Sequence, residues 1–328
     1  MTPILITRAQ ISDASWNEHI GKSLQCVIYA QTFYLDIVCE SWKALVWPSI
    51  AQPEIVMPIP VRRKLGLAII YQPHFCQYLG LFSLKPLSSF QLESFLRLLS
   101  KEFSYISAYH FNPENSLRMS AMTTAFPELE FSQKHTDWLP IANQSQLYAG
   151  YSSDRKRNLR LGKDFHWEVQ DSSDIEPLIR LFKENQTARI PGGVRGDTFI
   201  RLKVLFETLY KRRQAEICYA SMDGQIHAGI LVTKFAGRAM YLFNAADQKG
   251  RTGNARTVML DHYFTSGNGE TLIFDFESPE VEAIWRFYRS FGSQRVPFYA
   301  VNRNELCFPM KQIQNWRKRF FKTRQGLF

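Results

Sequence analysis

The sequence has 328 residues, 45% of them hydrophobic and 21% charged, a balance that excludes wholesale disorder and allows two ordinary cores at the usual domain size. Lys and Arg total 40 against 30 Asp and Glu, a formal charge of +10, which favours anionic partners such as phosphates, nucleic acid or an anionic membrane surface and is silent on fold. The five cysteines are scattered without a C-x-x-C pair, so reduced thiols and no metal site are expected.

Met1 to Ile11 lacks the basic-then-apolar pattern of a signal peptide, and no apolar run approaches the roughly 20 residues of a membrane helix. A cytoplasmic setting is expected, with peripheral contact at the inner membrane face as an option for the basic segments. The 25 Phe, 14 Tyr and 7 Trp either fill large cores or line a groove for an extended substrate.

In chain order, Ala14 to Gly21 reads as a short helix. Leu24 to Ala30, Phe33 to Val38 and Ser41 to Val46 read as strands from their β-branched and aromatic content. Glu54 to Pro60 is strand-like, and its prolines suggest an edge or a strand end. Leu67 to Tyr71 is a strand, and Gln72 to Gly80 is a loop whose Gln72, His74 and Gln77 are candidates to line a substrate groove. Ser88 to Phe103 is the clearest helix of the first half, with Leu92, Phe95, Leu96 and Leu99 at helical spacing and a serine cap. Tyr105 to Phe111 follows as a strand. The polar stretch Asn143 to Asp154 reads as a boundary, giving domains 1–150 and 151–310 and a basic aromatic tail, 311–328.

In the second half, a basic stretch (Arg155, Lys156, Arg157, Arg160, Lys163) precedes a strand at His166 to Gln170. Ile175 to Asn185 and Thr198 to Arg213 are amphipathic helices separated by a glycine-rich loop, Ile190 to Gly196. Glu216 to Met222 and Gln225 to Thr233 are strands joined by Asp223-Gly224, a two-residue hairpin signal. A third strand, Ala239 to Ala245, leads into Asp247-Gln-Lys-Gly-Arg-Thr-Gly-Asn-Ala255 and a helix from Arg256 to Thr265. A glycine-containing loop opening a helix is an anion site, because the first N–H groups of the helix lack partners and the dipole favours negative charge. Gln248, Gly250, Arg251, Thr252, Gly253, Asn254 and Ala255 are therefore the candidate pyrophosphate residues. Thr271 to Phe276 is the next strand. A helix with proline in its first turn, Pro279 to Ser290, ends at Gly292, and Val296 to Val301 is the last strand.

This order of elements, together with Trp285-Arg-Phe-Tyr-Arg-Ser-Phe-Gly292, resembles the GCN5-related N-acetyltransferase (GNAT) superfamily. The runs Phe274-Asp-Phe-Glu-Ser278, Tyr151-Ser152 and Arg157-Asn-Leu-Arg160 resemble its FemAB-like, BioF2-like branch. That branch includes peptidoglycan peptidyltransferases and many bacterial acyltransferases. Trp16, Tyr34-Leu-Asp36, Trp42, Met57-Pro58, Tyr71-Gln-Pro73 and Gln77-Tyr-Leu-Gly80 resemble the first domain of such proteins.

The resemblance implies an α/β fold with a mixed sheet, as two tandem GNAT-like domains with the acyl site in the second. It also implies acyl transfer from acyl-coenzyme A (acetyl-coenzyme A) to a small-molecule or peptide amine. The alternatives are aminoacyl-tRNA-dependent transfer to a cell-wall precursor and a non-catalytic binding module. The family's coenzyme A loop has Arg or Gln where Gly250 stands.

Acyl transfer to nitrogen needs a base for the amine and an acid for the leaving group. Asp275 and Glu277 end a strand where the sheet opens, and alternate positions share a face, so either is a candidate base. Tyr288, four residues before Gly292, is where the resemblance places the acid that protonates the thiolate. Tyr241 reads as core, His227 and His262 as structural, and Cys218 as inert. The tail, with Lys311, Arg317, Lys318, Arg319, Lys322 and Arg324 among aromatics, is either a solvated helix or a contact for anionic lipid or tRNA.

Overall fold

A computed structural model describes residues 2–64, 66–142, 144–187, 190, 193–194, 196–266 and 272–316. The chain begins with β1 (Ile4–Thr7), α1 (Asp13–Lys22), α2 (Thr32–Val38), β2 (Ser41–Pro48), β3 (Pro53–Lys64), β4 (Leu67–Ile70), β5 (Phe82–Ser83), α3 (Ser89–Glu102) and β6 (Tyr105–His110). It continues with α4 (Pro113–Met119), α5 (Met122–Ala125), β7 (Glu130–Ile141), α6 (Gln144–Gly150), α7 (Ser153–Lys163), β8 (Glu168–Ser172), α8 (Glu176–Asn185) and α9 (Gly196–Lys211). It ends with β9 (Ala215–Met222), β10 (Gln225–Phe235), β11 (Arg238–Ala246), α10 (Gln248–Thr252), α11 (Ala255–Ser266), β12 (Leu272–Asp275), α12 (Glu282–Arg289) and β13 (Gln294–Asn304).

Two compact units result, one running to Lys134 and resuming at Pro297, the other from His135 to Val296. The chain thus passes between units inside β7 and β13, whereas the sequence places a boundary at 150. The polar stretch that suggests that boundary is mostly helical, as α6 and the start of α7. Of the tail, residues 317–328 lie outside the described residues, as do Pro191, Gly192 and Arg195 of the glycine-rich loop.

The first unit orders its strands β1-β2-β3-β4-β6-β13, with β5 on β3. Its clearest helix, α3, buries Leu92, Phe95, Leu96 and Leu99. A capping box starts it: Gln91 N–H donates to Ser88 Oγ at 3.1 Å, and Ser88 N–H to Gln91 Oε1 at 2.9 Å.

Two expected strands are absent. Residues 32–38 form α2, because Thr32, Leu35 and Val38 bury one face at spacings of three while Tyr34 reaches the Phe75 carbonyl. Leu24 to Ala30 is irregular and ends in a 3-10 turn, Ile28–Ala30, whose last carbonyl accepts from Trp16 Nε1 at 2.7 Å.

β3 is interior and not an edge. It pairs β2 along its length, β5 at Ile55 and Val56, and β4 from Val61. Pro58 and Pro60 lie between those two shorter ladders, where a missing N–H costs no pairing.

The second unit orders its strands β7-β12-β11-β10-β9-β8. The β9–β10 hairpin turns on Asp223 and Gly224 at φ 53 and 72°, as a two-residue loop with both φ positive requires. β11 and β12 are parallel, so a crossover must join them, and α10 and α11 supply it. α12 begins at Glu282 with Val281 as its N-cap, later than the expected start at Pro279. Glu277 adopts a left-handed φ of 47° and Ser278 bonds Asp137, which holds the chain off a helical path until Val281. Gly292, at φ 90°, ends the helix as expected.

Replacing the α3 cap, Ser88→Ala, should lower the unfolding free energy by about 1 kcal/mol, read from the urea midpoint at unchanged slope.

Candidate active site

The second unit opens where β11 and β12 part. Their ladder pairs Arg238 with Ile273, Ala239 with Phe274 and Met240 with Asp275. β11 then continues to Ala246 while β12 ends at Asp275. Tyr241 is the first residue of β11 past the last pair. Tyr288, from α12, stacks on Phe276 with ring centroids 4.5 Å apart and meets Tyr241 nearly perpendicularly at 6.1 Å. The three rings pack together where the strands part, backed by the buried Phe264, Phe274 and Phe291.

Asp275 is 1% exposed, and its oxygens already serve as acceptors. Oδ1 receives Thr136 Oγ1–H and the Glu277 N–H, the latter at 2.8 Å, and Oδ2 receives Trp138 Nε1–H at 2.8 Å. It clasps β12 to β7. Glu277 is half-buried, and its left-handed backbone breaks the alternation that would have set both carboxylates on one face. Its charge reaches Tyr288. Burial pushes the Tyr288 hydroxyl well above the usual phenol range; Arg256 opposes that rise, while Glu277 and Asp137 add to it.

Three further groups lie near Tyr288, of which only Tyr241 has a role in the sequence reading, as core. Asp137, on β7, is fully buried; Ser278 Oγ donates to its Oδ2 at 2.6 Å, and its Oδ1 has no partner among the described residues. Burial pushes this carboxyl up, with Ser278 and Arg295 opposing. Tyr241 is 2% exposed, and its hydroxyl also has no partner among the described residues. Arg256, in the first turn of α11, donates to Asn244 Oδ1 at 3.0 Å and lies over the Phe287 ring. The one available signal was an aspartate within the short run Thr136-Asp-Trp-Leu139.

The Tyr151-Ser152 motif ties α7 to α12. Ser152 N–H donates to the Ser290 carbonyl at 2.9 Å, and Ser152 Oγ caps Arg155 N–H. Arg155 is buried, donates to the hydroxyls of Ser290 and Thr257, and lies over Phe287 and Phe291. Burial, with repulsion from Arg256, pushes its guanidinium down to about 10.

The expected phosphate loop is not open. Asp247 Oδ1 takes the Gly250 N–H at 2.8 Å, while Oδ2 takes His227 Nδ1–H at 2.7 Å. The amides of Arg251, Gly253, Asn254, Thr257 and Val258 donate to carbonyls of Asp247, Lys249, Arg251 and Asn254. The glycines are explained by packing: a Cβ on Gly250 would collide with the His227 carbonyl, and one on Gly253 would meet the Trp167 ring at 2.5 Å. Arg251 donates to the Ala246 carbonyl and Gln248 Oε1, and Lys249 lies 3.6 Å from Asp223. Gln248 in turn donates to Thr252 Oγ1, and Ala255 is buried. Most of these donors are spent internally and a carboxylate stands among them, a poor setting for a pyrophosphate.

Gln72, His74 and Gln77 belong to the first unit. Gln72 staples its loop by donating to the Cys76 carbonyl and accepting His110 N–H, and the Gln77 carbonyl meets His110 Nδ1 at 2.8 Å. His74 is exposed. Cys218 is buried, which pushes its thiol up to about 12, and thiol chemistry has no footing there. Among the described residues no cluster of three or more His, Cys, Asp or Glu could hold a metal ion, and no helix is long and apolar enough to cross a membrane.

Residues 148–276 match the GNAT acetyltransferase domain. The second unit therefore carries a GNAT-like domain. No curated protein matches its sequence significantly. In fold the chain is similar to FemX (TM-score 0.65, 11% identity, covering 92% of this chain and 98% of that one). It is also similar to a tandem GNAT protein of the clavulanic acid biosynthesis pathway (0.51, 12%, 92% and 98%). A GNAT-family acetyltransferase from Colwellia psychrerythraea gives 0.51 at 11%, over 92% and 99%. The GNAT-like, FemAB-like architecture expected from the sequence is thus present.

Two stability changes follow. Asp275→Asn should cost about 3 kcal/mol, since donors to a buried charged acceptor lose it; chemical denaturation measures this. Asp137→Asn should raise the melting temperature at neutral pH. The folded protein holds the Asp137 carboxyl above its unfolded value, so the wild type loses stability as pH rises through that raised value. The advantage of the variant should shrink on acidification, which melting curves across pH would record.

Proposed function

We propose that this acyltransferase joins an acyl group to an amine at the opening between β11 and β12, and that its donor is an aminoacyl ester carried by tRNA. The observation that carries this reading is the ring of Tyr241, Tyr288, Arg256 and Glu277 at the parting of the two strands. Glu277 is the favoured base, because Asp275 already accepts from three donors. The amine attacks the carbonyl and passes its proton to Glu277. The carbon–oxygen ester bond breaks, and Tyr288 gives its proton to the departing ribose oxygen. Asp275 keeps the strand end in place.

A coenzyme A donor is disfavoured by the filled Gln248–Ala255 loop. A tRNA donor is favoured by the charge of +10 and by α7, which carries Lys156, Arg157, Arg160 and Lys163 with the last three exposed. The acceptor is an amine of a peptide or small molecule.

Fluorescence anisotropy with bulk tRNA should show binding that weakens by about tenfold or more between roughly 50 and 200 mM salt, and Arg157→Glu with Arg160→Glu should weaken it further. Calorimetry with acetyl-coenzyme A should be silent. Micromolar acetyl-coenzyme A affinity without tRNA binding would reverse the assignment of donor.

A further inference from the structure

A buried phenol is a poor acid unless something receives the charge it leaves behind, because an unpaired anion in an apolar site is costly. Tyr288 is 4% exposed and packed among Phe276, Phe287 and Tyr241. The groups whose charge reaches it are Arg256 from α11, Glu277 beyond β12 and Asp137 from β7. Two of these are carboxylates and oppose a phenolate; Arg256 alone among them favours it.

Tyr241 lies on the remaining side. It is the first residue of β11 beyond the ladder, and its ring stands at 89° to that of Tyr288. Arg256, Tyr288 and Cys218 are the titratable groups around it, and burial keeps the Cys218 thiol uncharged. Its hydroxyl has no hydrogen-bond partner among the described residues. Burying a hydroxyl unpaired costs stability, and phenylalanine would fill the same space without that cost. An interaction absent in the resting protein and made only as charge develops lowers the barrier in full, since none of it is spent on the ground state.

We propose that Tyr241 is a positioning residue whose hydroxyl donates to the Tyr288 oxygen as Tyr288 releases its proton. The inference rests on the acyl-transfer reading above. As the ester carbon–oxygen bond breaks, its electron pair goes to the ribose oxygen, which takes the Tyr288 proton. The phenolate accepts the Tyr241 hydroxyl and the field of Arg256. The proton that Glu277 took from the amine then restores Tyr288, so no other reactant is needed.

The test is a double-mutant cycle on the full chain with Tyr241→Phe, Tyr288→Phe and both, using alanyl-tRNA and acetyl-coenzyme A as donor probes and Nα-acetyl-lysinamide as amine. Tyr241→Phe should lower kcat by about tenfold at unchanged KM, with a melting temperature equal to or above wild type. The double variant should be no slower than Tyr288→Phe alone, because Tyr241 acts only through that oxygen. Unchanged kcat in an active enzyme, independent multiplying losses, or a lowered melting temperature in Tyr241→Phe would overturn the inference and leave the acyl-transfer reading standing. A wild-type chain inert toward both donors overturns that reading and this inference with it.

Discussion

The second unit depends on the carboxylate of Asp275. A buried carboxylate needs donors on both oxygens, and here they come from both neighbours of Asp137 on β7 and from the amide of Glu277. That demand fixes where β12 stops and bends the next residue into the left-handed region. The bend delays α12, and the delayed helix brings Tyr288 down onto Phe276. Asp275 is thus the fastening that lets β12 end sharply against β7.

Toward α10, the glycine loop is closed upon itself by Asp247, and the close approaches of Gly250 to His227 and Gly253 to Trp167 make it part of the packing. Toward α12, Asp137 Oδ1 and the Tyr241 hydroxyl lack a partner among the described residues, as does His227 Nε2 beside the loop. Unmet polar groups in an interior are costly and are tolerated where chemistry uses them.

Much of this was legible in the sequence because it is local. The α3 stripe, the Asp223-Gly224 turn, the strands β9 to β11 and the glycine that ends α12 each announce themselves within a few residues. What was not legible depends on partners distant in the chain. Residues 33–38 have the β-branched and aromatic content of a strand, but burial against α1 and β2 makes them helical. The prolines of β3 look like an edge because the gap between β4 and β5 cannot be seen in letters. Asp275 and Glu277 were visible as a pair; that Thr136 and Trp138 would claim the first could not be known without the register of β12 on β7. The loop glycines signalled a phosphate site by the same small size that, in the fold, admits His227 and Trp167.

The crossing of the chain through β7 and β13 makes the second unit an insertion within the first. Strand β6 must wait for its antiparallel neighbour β13, which is made almost two hundred residues later. During synthesis the inserted unit can close on its own contiguous sequence, while the surrounding unit exposes the unpaired side of β6 until β13 is made. A ribosome-bound intermediate of this protein would thus be complete at its centre and unfinished at its start, the reverse of the usual order of maturation from the N-terminus.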